Sequence, residues 1–281
     1  MSRLERVKKF TLRLFSSISF LALFSLVLGG LISIPLIPRP NIATITISGL
    51  ILEQAYTDDI LEMLGYARDS ANIKAVVLKI DSPGGYASTI EQIYMEVLRL
   101  KQHKPVVALI GARGASGGYY IAVASNFIYA QPSSQLGNIG AWSSLPTPEE
   151  LDEDIITTGP FKSTGGSRRK AISGLETLRQ QFVEAVVLQR GDRLKLSEEE
   201  LSRAEVYSGV ESLRYGLIDD IGTATIAVEK AADLAHIRNY KVVDLYIPEP
   251  TFWLFGSVDM EALKSRTGLM PVYYYLYFES R

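Results

Sequence analysis

The sequence predicts an α/β protein of repeated β-α-β units around a mostly parallel sheet, preceded by one N-terminal transmembrane helix. Three observations carry this. No residue from Leu14 to Ile37 is charged. Two near-continuous apolar runs, "AVVLKI" (75–80) and "PVVALIG" (105–111), read as parallel strands covered on both faces. Between and around them, apolar residues recur at helical spacing, which gives the strand-helix alternation of a parallel sheet with right-handed crossovers.

Taken in order, the N-terminal run is long enough to span a membrane, because a helix rising about 1.5 Å per residue needs about 20 apolar residues to cross the hydrocarbon layer. Arg3, Arg6, Lys8, Lys9 and Arg13 precede it, with only Glu5 opposing. The positive-inside rule then places residues 1–13 in the cytoplasm, 14–37 in the membrane and the remainder on the extracytoplasmic side. The run is longer than a signal-peptide core and ends in "SIPLIPRPN" without a small-residue cleavage site, so an anchor is expected. After this linker, "IATITISG" (42–49) alternates as a strand does, and Thr57 is expected to cap a helix with Ile60, Leu61, Leu64 and Ala67 on one face. The strand 75–80 ends in "DSPGG", and a capping box of Ser88 with Glu91 is expected to open the next helix. Strand 105–111 leads into "GARGASGGYYIA" (111–122), followed by a short strand, "FIYA" (127–130). Further on, Leu175, Leu178, Phe182, Ala185 and Leu188 form a helix stopped near Gly191, and Ser197 with Glu200 suggests a second capping box. The run Arg168, Arg169 and Lys170 reads as a solvated face.

Composition narrows the chemistry. The 281 residues carry 29 basic and 31 acidic side chains, a net charge of −2, which supplies no field for nucleic acid. There is no cysteine, so thiolate nucleophiles, disulfides and cysteine-based metal sites are excluded. The two histidines, His103 and His236, lie in a polar connector and at a helix end, so neither a histidine triad nor a zinc site is expected, and no cofactor or metal is called for.

Both "DSPGG" and "GASGG" fall at the carboxyl ends of strands, where open parallel sheets place their chemistry. Gly84, Gly85, Gly117 and Gly118 lack Cβ atoms, so their N–H groups can approach a bound group and form an oxyanion hole; equally, such glycines can simply let a helix pack tightly on the sheet. A serine nucleophile at Ser116 needs a base. With both histidines discounted by position and cysteine absent, the known alternative is a lysine held neutral near pH 7, which requires a drop of about 3 units from about 10.4, equivalent to roughly 4 kcal/mol. Lys162, in "TTGPFKSTGG", has no acid from Ile155 to Gly174 around it; by spacing alone it also reads as a surface-loop lysine.

The ordered set "IDSPGG", "ASGGYYIA", "GNIG" and "GPFKS", closing with "VYSGVESLRYGLIDDIG", resembles the SppA (protease IV) family of membrane-anchored signal peptide peptidases, in its short single-repeat form. The likeness covers about Ile42 to Gly222. It implies a ClpP/crotonase-like fold and a Ser/Lys dyad, with Ser116 as nucleophile, Lys162 as general base, and the N–H groups of Gly85 and Gly117 as oxyanion donors. It also implies hydrophobic peptide substrates such as cleaved signal peptides, a lipid bilayer as setting, and a homo-oligomeric ring whose neighbours complete each site. Where relatives have "GSIG", this chain has Asn138, whose carbonyl can accept from the lysine amine as a hydroxyl does. A catalytically weakened membrane scaffold of the same fold, or a crotonase-type acyl-CoA enzyme, are the competing readings.

The peptidase domain is expected over 41–250. Within it, five carboxylates from Glu149 to Asp154 are expected to point to solvent, since near Lys162 they would keep its amine protonated. The tail, 251–281, holds "TFWLFGS" and "PVYYYLYFESR". Its aromatics fit a membrane interface, an edge strand or a contact with a neighbouring subunit.

Overall fold

A computed structural model describes residues 3–33, 39–144, 158–159, 161–162, 164–246 and 272–276. The chain divides into two units, Met1–Arg39 and Pro40–Arg281. The first holds one helix, α1 (Arg3–Ser33), so the basic flank is itself helical. Its stretch Glu5–Gly29 is long and apolar enough to cross a membrane, and side chains such as Leu21, Leu23 and Leu26 lie exposed.

The second unit is built on a mostly parallel ten-stranded sheet. Strands β1 (Asn41–Ile51), β2 (Ile73–Tyr86), β3 (Val106–Ala115) and β4 (Phe127–Ala130) are joined in parallel, with β1 and β3 on either side of β2 and β4 beyond β3. The central strands are covered on both faces, as their continuous apolar runs require. Val76, Leu78 and Ile80 face the main core with Ile60, Ile93 and Phe182. Ala75 and Val77 face the other side, against Ala227, Ala231 and Ala232 of α8 (Ala224–Leu234). This period-two division is what a strand buried on both faces produces.

The helices α2 (Gln54–Asp69), α3 (Ala87–Lys101), α4 (Gly117–Val123) and α5 (Arg168–Arg190) contribute to the main core. Two expected caps are displaced. Helix α2 starts three residues before Thr57, which is buried inside the helix and donates its hydroxyl to the Glu53 carbonyl at 3.1 Å. Helix α3 starts at Ala87 directly after β2, with Tyr86 at its N-cap and no side-chain cap, so Ser88 and Glu91 form no capping box. The Ser197 box does form, on α6 (Glu198–Leu201), and α5 ends at Gly191 with φ of 52°. The basic run 168–170 lies exposed in the first turn of α5.

Strands β2 and β3 run further than their apolar cores, through "DSPGG" and up to Ala115. Beyond a register shift after Ile80, β2 stays paired with β1 through Gly84 and Gly85. The end of β3, still paired with β2 where Gly114 lies opposite Ser82, also pairs with β5 (Gln135–Gly137), which in turn pairs antiparallel with β7 (Val206–Ser208). Beyond Ser82, β2 is paired by β10 (Val272–Leu276), which runs antiparallel to Gly84–Tyr86 and pairs, on its far side, with β6 (Trp142–Ser144). Of the three readings of the aromatic tail, residues 272–276 therefore take the strand, inside the sheet between two neighbours; residues 251–270 and the acidic run from Glu149 to Asp154 lie outside the described residues.

Candidate active site

Ser116 sits where β3 ends and α4 begins, 1% exposed, with φ of 51° and ψ of −121°. Positive φ is uncommon for a residue with a Cβ, and such backbone costs on the order of 1–3 kcal/mol, so the surroundings must hold it. They do so from both sides. The Ser116 N–H donates to the Gly137 carbonyl at 2.8 Å, and its carbonyl accepts from the Tyr120 N–H at 2.9 Å. This sharp strand-to-helix turn lifts the serine out of the sheet line and leaves the first N–H groups of α4 without intrahelical partners.

The first glycine loop is organised by residues that the sequence did not single out. Ser82, fully buried, donates its hydroxyl to the Gly49 carbonyl at 2.7 Å and accepts from the Gly84 N–H at 3.1 Å. Asp81 accepts the Arg113 N–H at 3.0 Å, which ties the ends of β2 and β3 together after their register shifts. Gly84 has φ of 103°, and a Cβ built on it would lie 2.7 Å from the Gly117 nitrogen. A Cβ on Gly85 would lie 1.9 Å from the Ile51 carbonyl oxygen, and one on Gly118 2.4 Å from that of Ser82. The two glycine turns therefore pack backbone on backbone, as the packing reading of these glycines expects, and this sets Gly84 beside Gly117.

Asn138 follows β5 in a left-handed turn with φ of 52°, a conformation asparagine tolerates better than most residues. Its N–H donates to the Glu205 carbonyl at 2.7 Å and its side-chain amide to the Ala204 carbonyl at 2.9 Å. The amide oxygen accepts no hydrogen bond among the described residues.

Lys162 lies in a turn in which its N–H donates to the Gly159 carbonyl at 3.1 Å. Its side chain is exposed, and its amine makes no hydrogen bond or ion pair among the described residues. The fold thus places Ser116, Gly85, Gly117 and Asn138 at the ends of β2, β3 and β5, and Lys162 on a solvent-facing turn. Both histidines are exposed, His103 with Nδ1 2.9 Å from the Arg99 carbonyl and His236 just after α8. No cluster of metal-ligating side chains occurs among the described residues.

Behind the serine turn, Tyr119 on α4 is buried and donates its hydroxyl to the Leu217 carbonyl at 2.7 Å. Two residues on, Asp219 receives a two-pronged ion pair from the buried Arg190, with both contacts at 2.9 Å. Burial by itself pushes the Asp219 carboxyl up, but the hydrogen bonds and charge of Arg190, the Ile128 N–H and the charge of Arg193 outweigh it and hold the group below the ordinary carboxylate range.

This sheet with a buried serine at a strand-to-helix turn is the ClpP/crotonase-like architecture that the sequence predicts. Solved structures of the 1510-N membrane-bound stomatin-specific protease share it. One, a mutant bound to a substrate peptide, matches with a TM-score of 0.53 at 20% identity over 75% of this chain and 94% of that one. A second, a serine-to-alanine mutant, gives a TM-score of 0.51 at 18% identity, covering 75% and 100% of the two chains. The chain belongs to peptidase family S49, whose model matches residues 99–238, and it is an SppA-family protein. It is 31% identical over 219 residues to Protease 4 of Haemophilus influenzae, covering 71% of this chain and 36% of that one. Serine protease SPPA, chloroplastic, of Arabidopsis thaliana is 31% identical over 213 residues, covering 70% and 31%. The chain therefore spans about a third of the length of these relatives.

Proposed function

We propose that the chain is a membrane-anchored serine endopeptidase that degrades hydrophobic peptides, cleaved signal peptides among them, with Ser116 as nucleophile and Lys162 as general base. One observation carries the reading: a buried serine held at positive φ between two backbone-packed glycine turns, in a chain of peptidase family S49. Such an arrangement presents a hydroxyl beside N–H groups that have no helical partner, which acyl transfer requires.

In the proposed reaction, neutral Lys162 takes the Ser116 proton as the oxygen attacks a peptide carbonyl. The N–H groups of Gly85 and Gly117 receive the negative charge that develops on the carbonyl oxygen. The protonated lysine then gives its proton to the leaving amine, and a water activated by the same lysine releases the acyl group. A lysine amine acts as a base only where water is largely excluded. Since Lys162 is exposed in the single chain, its shelter is assigned to a neighbouring subunit of a homo-oligomeric ring, with the Asn138 amide oxygen accepting from the amine. The apolar helix α1 supplies the anchor, with the N-terminus cytoplasmic and the peptidase unit extracytoplasmic.

The test is labelling by a fluorophosphonate together with cleavage of synthetic signal peptides by the full chain in lipid vesicles. Ser116→Ala is expected to lose both signals, and Lys162→Ala to lose cleavage and slow labelling by at least a hundredfold, with unchanged circular dichroism. Undiminished cleavage by either variant refutes the dyad.

A further inference from the structure

The N-terminal ends of the parallel strands gather positive charge in a chain whose net charge is −2. Strand β9 (Lys241–Asp244) runs parallel to β1 on the side away from β2, so β9, β1, β2 and β3 all start at this end. Their connections bring cations with them: Lys74 opens β2, Lys104 precedes β3, and Arg238 and Lys241 lead into β9. Ile73 and Lys241 stand opposite Asn41 from either side, so the strands bearing Lys74 and Lys241 lie about 10 Å apart across β1.

This row is not neutralised. Lys74, Arg238 and Lys241 are exposed, and their side chains make no ion pair among the described residues. Lys104 donates to the Ala67 and Ser70 carbonyls, both at 2.6 Å, at the end of α2. Burial, and the charge of Lys74 nearby, lower the Lys104 amine below its ordinary range, with Asp69 opposing. The cations therefore repel one another. Of the acids at this end, Asp69 is paired with Arg68 at 2.8 Å, and Asp233 lies in the last turn of α8. Beyond β4 the signs alternate, because Asp219 pairs with Arg190 and Arg193 and is followed by Asp220, so the basic row ends at β3.

The chain coming from α1 enters at this same end. The Pro40 carbonyl accepts the Lys241 N–H at 3.0 Å, and the Asn41 N–H donates to the Asn72 carbonyl at 2.8 Å, so the point of entry is fixed among these cations. Seven residues, 34–40, separate α1 from β1, and a chain of that length spans at most about 25 Å. The tether therefore confines the basic row to the neighbourhood of any bilayer that holds α1. Anionic lipid attracts such cations over about one Debye length, roughly 8 Å at physiological salt.

We propose that Lys74, Lys104, Arg238 and Lys241 form a docking face for the anionic phosphate headgroups of a lipid bilayer. The inference uses the anchor reading of α1 only to bring a bilayer within reach, and it does not depend on Ser116 or Lys162. Strand β3 runs ten residues, about 30 Å, from this end to the serine turn, so a docked unit holds Ser116 up to that distance from the headgroups.

The chain has no cysteine, so one dye can be attached at a chosen point. Asn239→Cys puts it in the basic row and Ser133→Cys puts it beyond the carboxyl end of β4; both positions are exposed. The full chain with either label is placed in phosphatidylcholine vesicles with or without phosphatidylglycerol, each containing some lipid spin-labelled at its headgroup. Quenching of the label at position 239 is expected to rise roughly twofold or more with phosphatidylglycerol, and to fall back at about 0.5 M salt, where screening leaves only a few ångströms of reach. The label at position 133 is expected to respond to neither. Combining Lys74→Gln, Arg238→Gln and Lys241→Gln is expected to abolish the rise, whereas Lys74→Arg with Lys241→Arg keeps it; Lys104 is left in place because it holds the end of α2. Equal quenching at position 239 in the two kinds of vesicle, or a rise that the glutamine variant retains, overturns the proposal. So does protection of that label from an aqueous quencher in detergent micelles, which shows a second copy of the chain covering this end. Retention of the chain in vesicles through alkaline extraction reports the anchor separately. If retention fails while the lipid-dependent quenching persists, the docking face stands and the anchor reading fails.

Discussion

Replacing Asp219 with alanine tests how the fold holds the serine turn from behind. Arg190 is among the largest fully buried side chains, and the two partners' side chains are 1% and 6% exposed. Its guanidinium donates twice to Asp219 and once to the Gly216 carbonyl at 2.7 Å, while Asp219 also accepts the Ile128 N–H at 2.8 Å. Removing the carboxylate strands a buried cation, which costs about 3–5 kcal/mol. The Ile128 N–H also loses its partner, a further ~1–3 kcal/mol when taken separately, though the two losses overlap. At roughly 2–4 °C per kcal/mol for a domain of this size, a 3–5 kcal/mol loss lowers Tm by about 6–20 °C, readable by scanning calorimetry of the detergent-solubilised protein. The pH dependence follows from the depressed carboxyl. Its stabilisation is complete above the unfolded-state value near 4 and disappears as pH falls through the lower folded-state value, so Asp219→Ala is expected to flatten the acid limb of the stability curve. Replacing both partners by leucine is expected to recover most of the loss, since apolar substitutes for a buried pair are often near neutral. A Tm within 2 °C of wild type for Asp219→Ala refutes the account.

Three further substitutions separate packing from chemistry. Gly85→Ala places a methyl 1.9 Å from the Ile51 carbonyl oxygen, so the ends of β1 and β2 must part; peptide cleavage is expected to fall at least a hundredfold, in line with loss of one oxyanion donor. Tyr119→Phe leaves the buried Leu217 carbonyl without its 2.7 Å partner and is expected to cost about 1–3 kcal/mol in denaturant unfolding with little change in KM. Asn138→Ala removes the amide bond to the Ala204 carbonyl and the residue's tolerance for left-handed backbone, and is expected to lower kcat far more than Asn138→Ser, which keeps a hydroxyl for the lysine.

What the sequence made legible follows how local its cause was. The apolar runs of β2 and β3 are legible because burial on both faces demands them, and the Ser197 box because its two partners are three residues apart. The Ser88 and Glu91 pair has the same spacing yet fails, because β2 stays paired to Tyr86 and leaves no free turn in which a cap can form. Glu91 meets Tyr275 instead, 184 residues away. Ser82 and Asp81 were equally hidden: their partners, Gly49 and Arg113, are set by the register of three strands and not by any pattern near "DSPGG". The glycines are visible as a cluster, but that Gly84 stands beside Gly117 follows from strand pairing far apart in sequence and not from any local pattern.

The proposed nucleophile and base draw on different sources of order. Ser116 is fixed within one chain: two main-chain hydrogen bonds hold its strained backbone, and a buried aromatic helix face backs it. Lys162 has no such support, since its turn is exposed and only its backbone is tied. A neutral amine needs a dry surrounding, whereas an oxyanion hole needs only rigid donors. In the proposed mechanism the electrophilic half of the site is therefore a property of the fold and the basic half a property of assembly. A monomer would then retain the serine turn while lacking the proton acceptor that makes the serine attack.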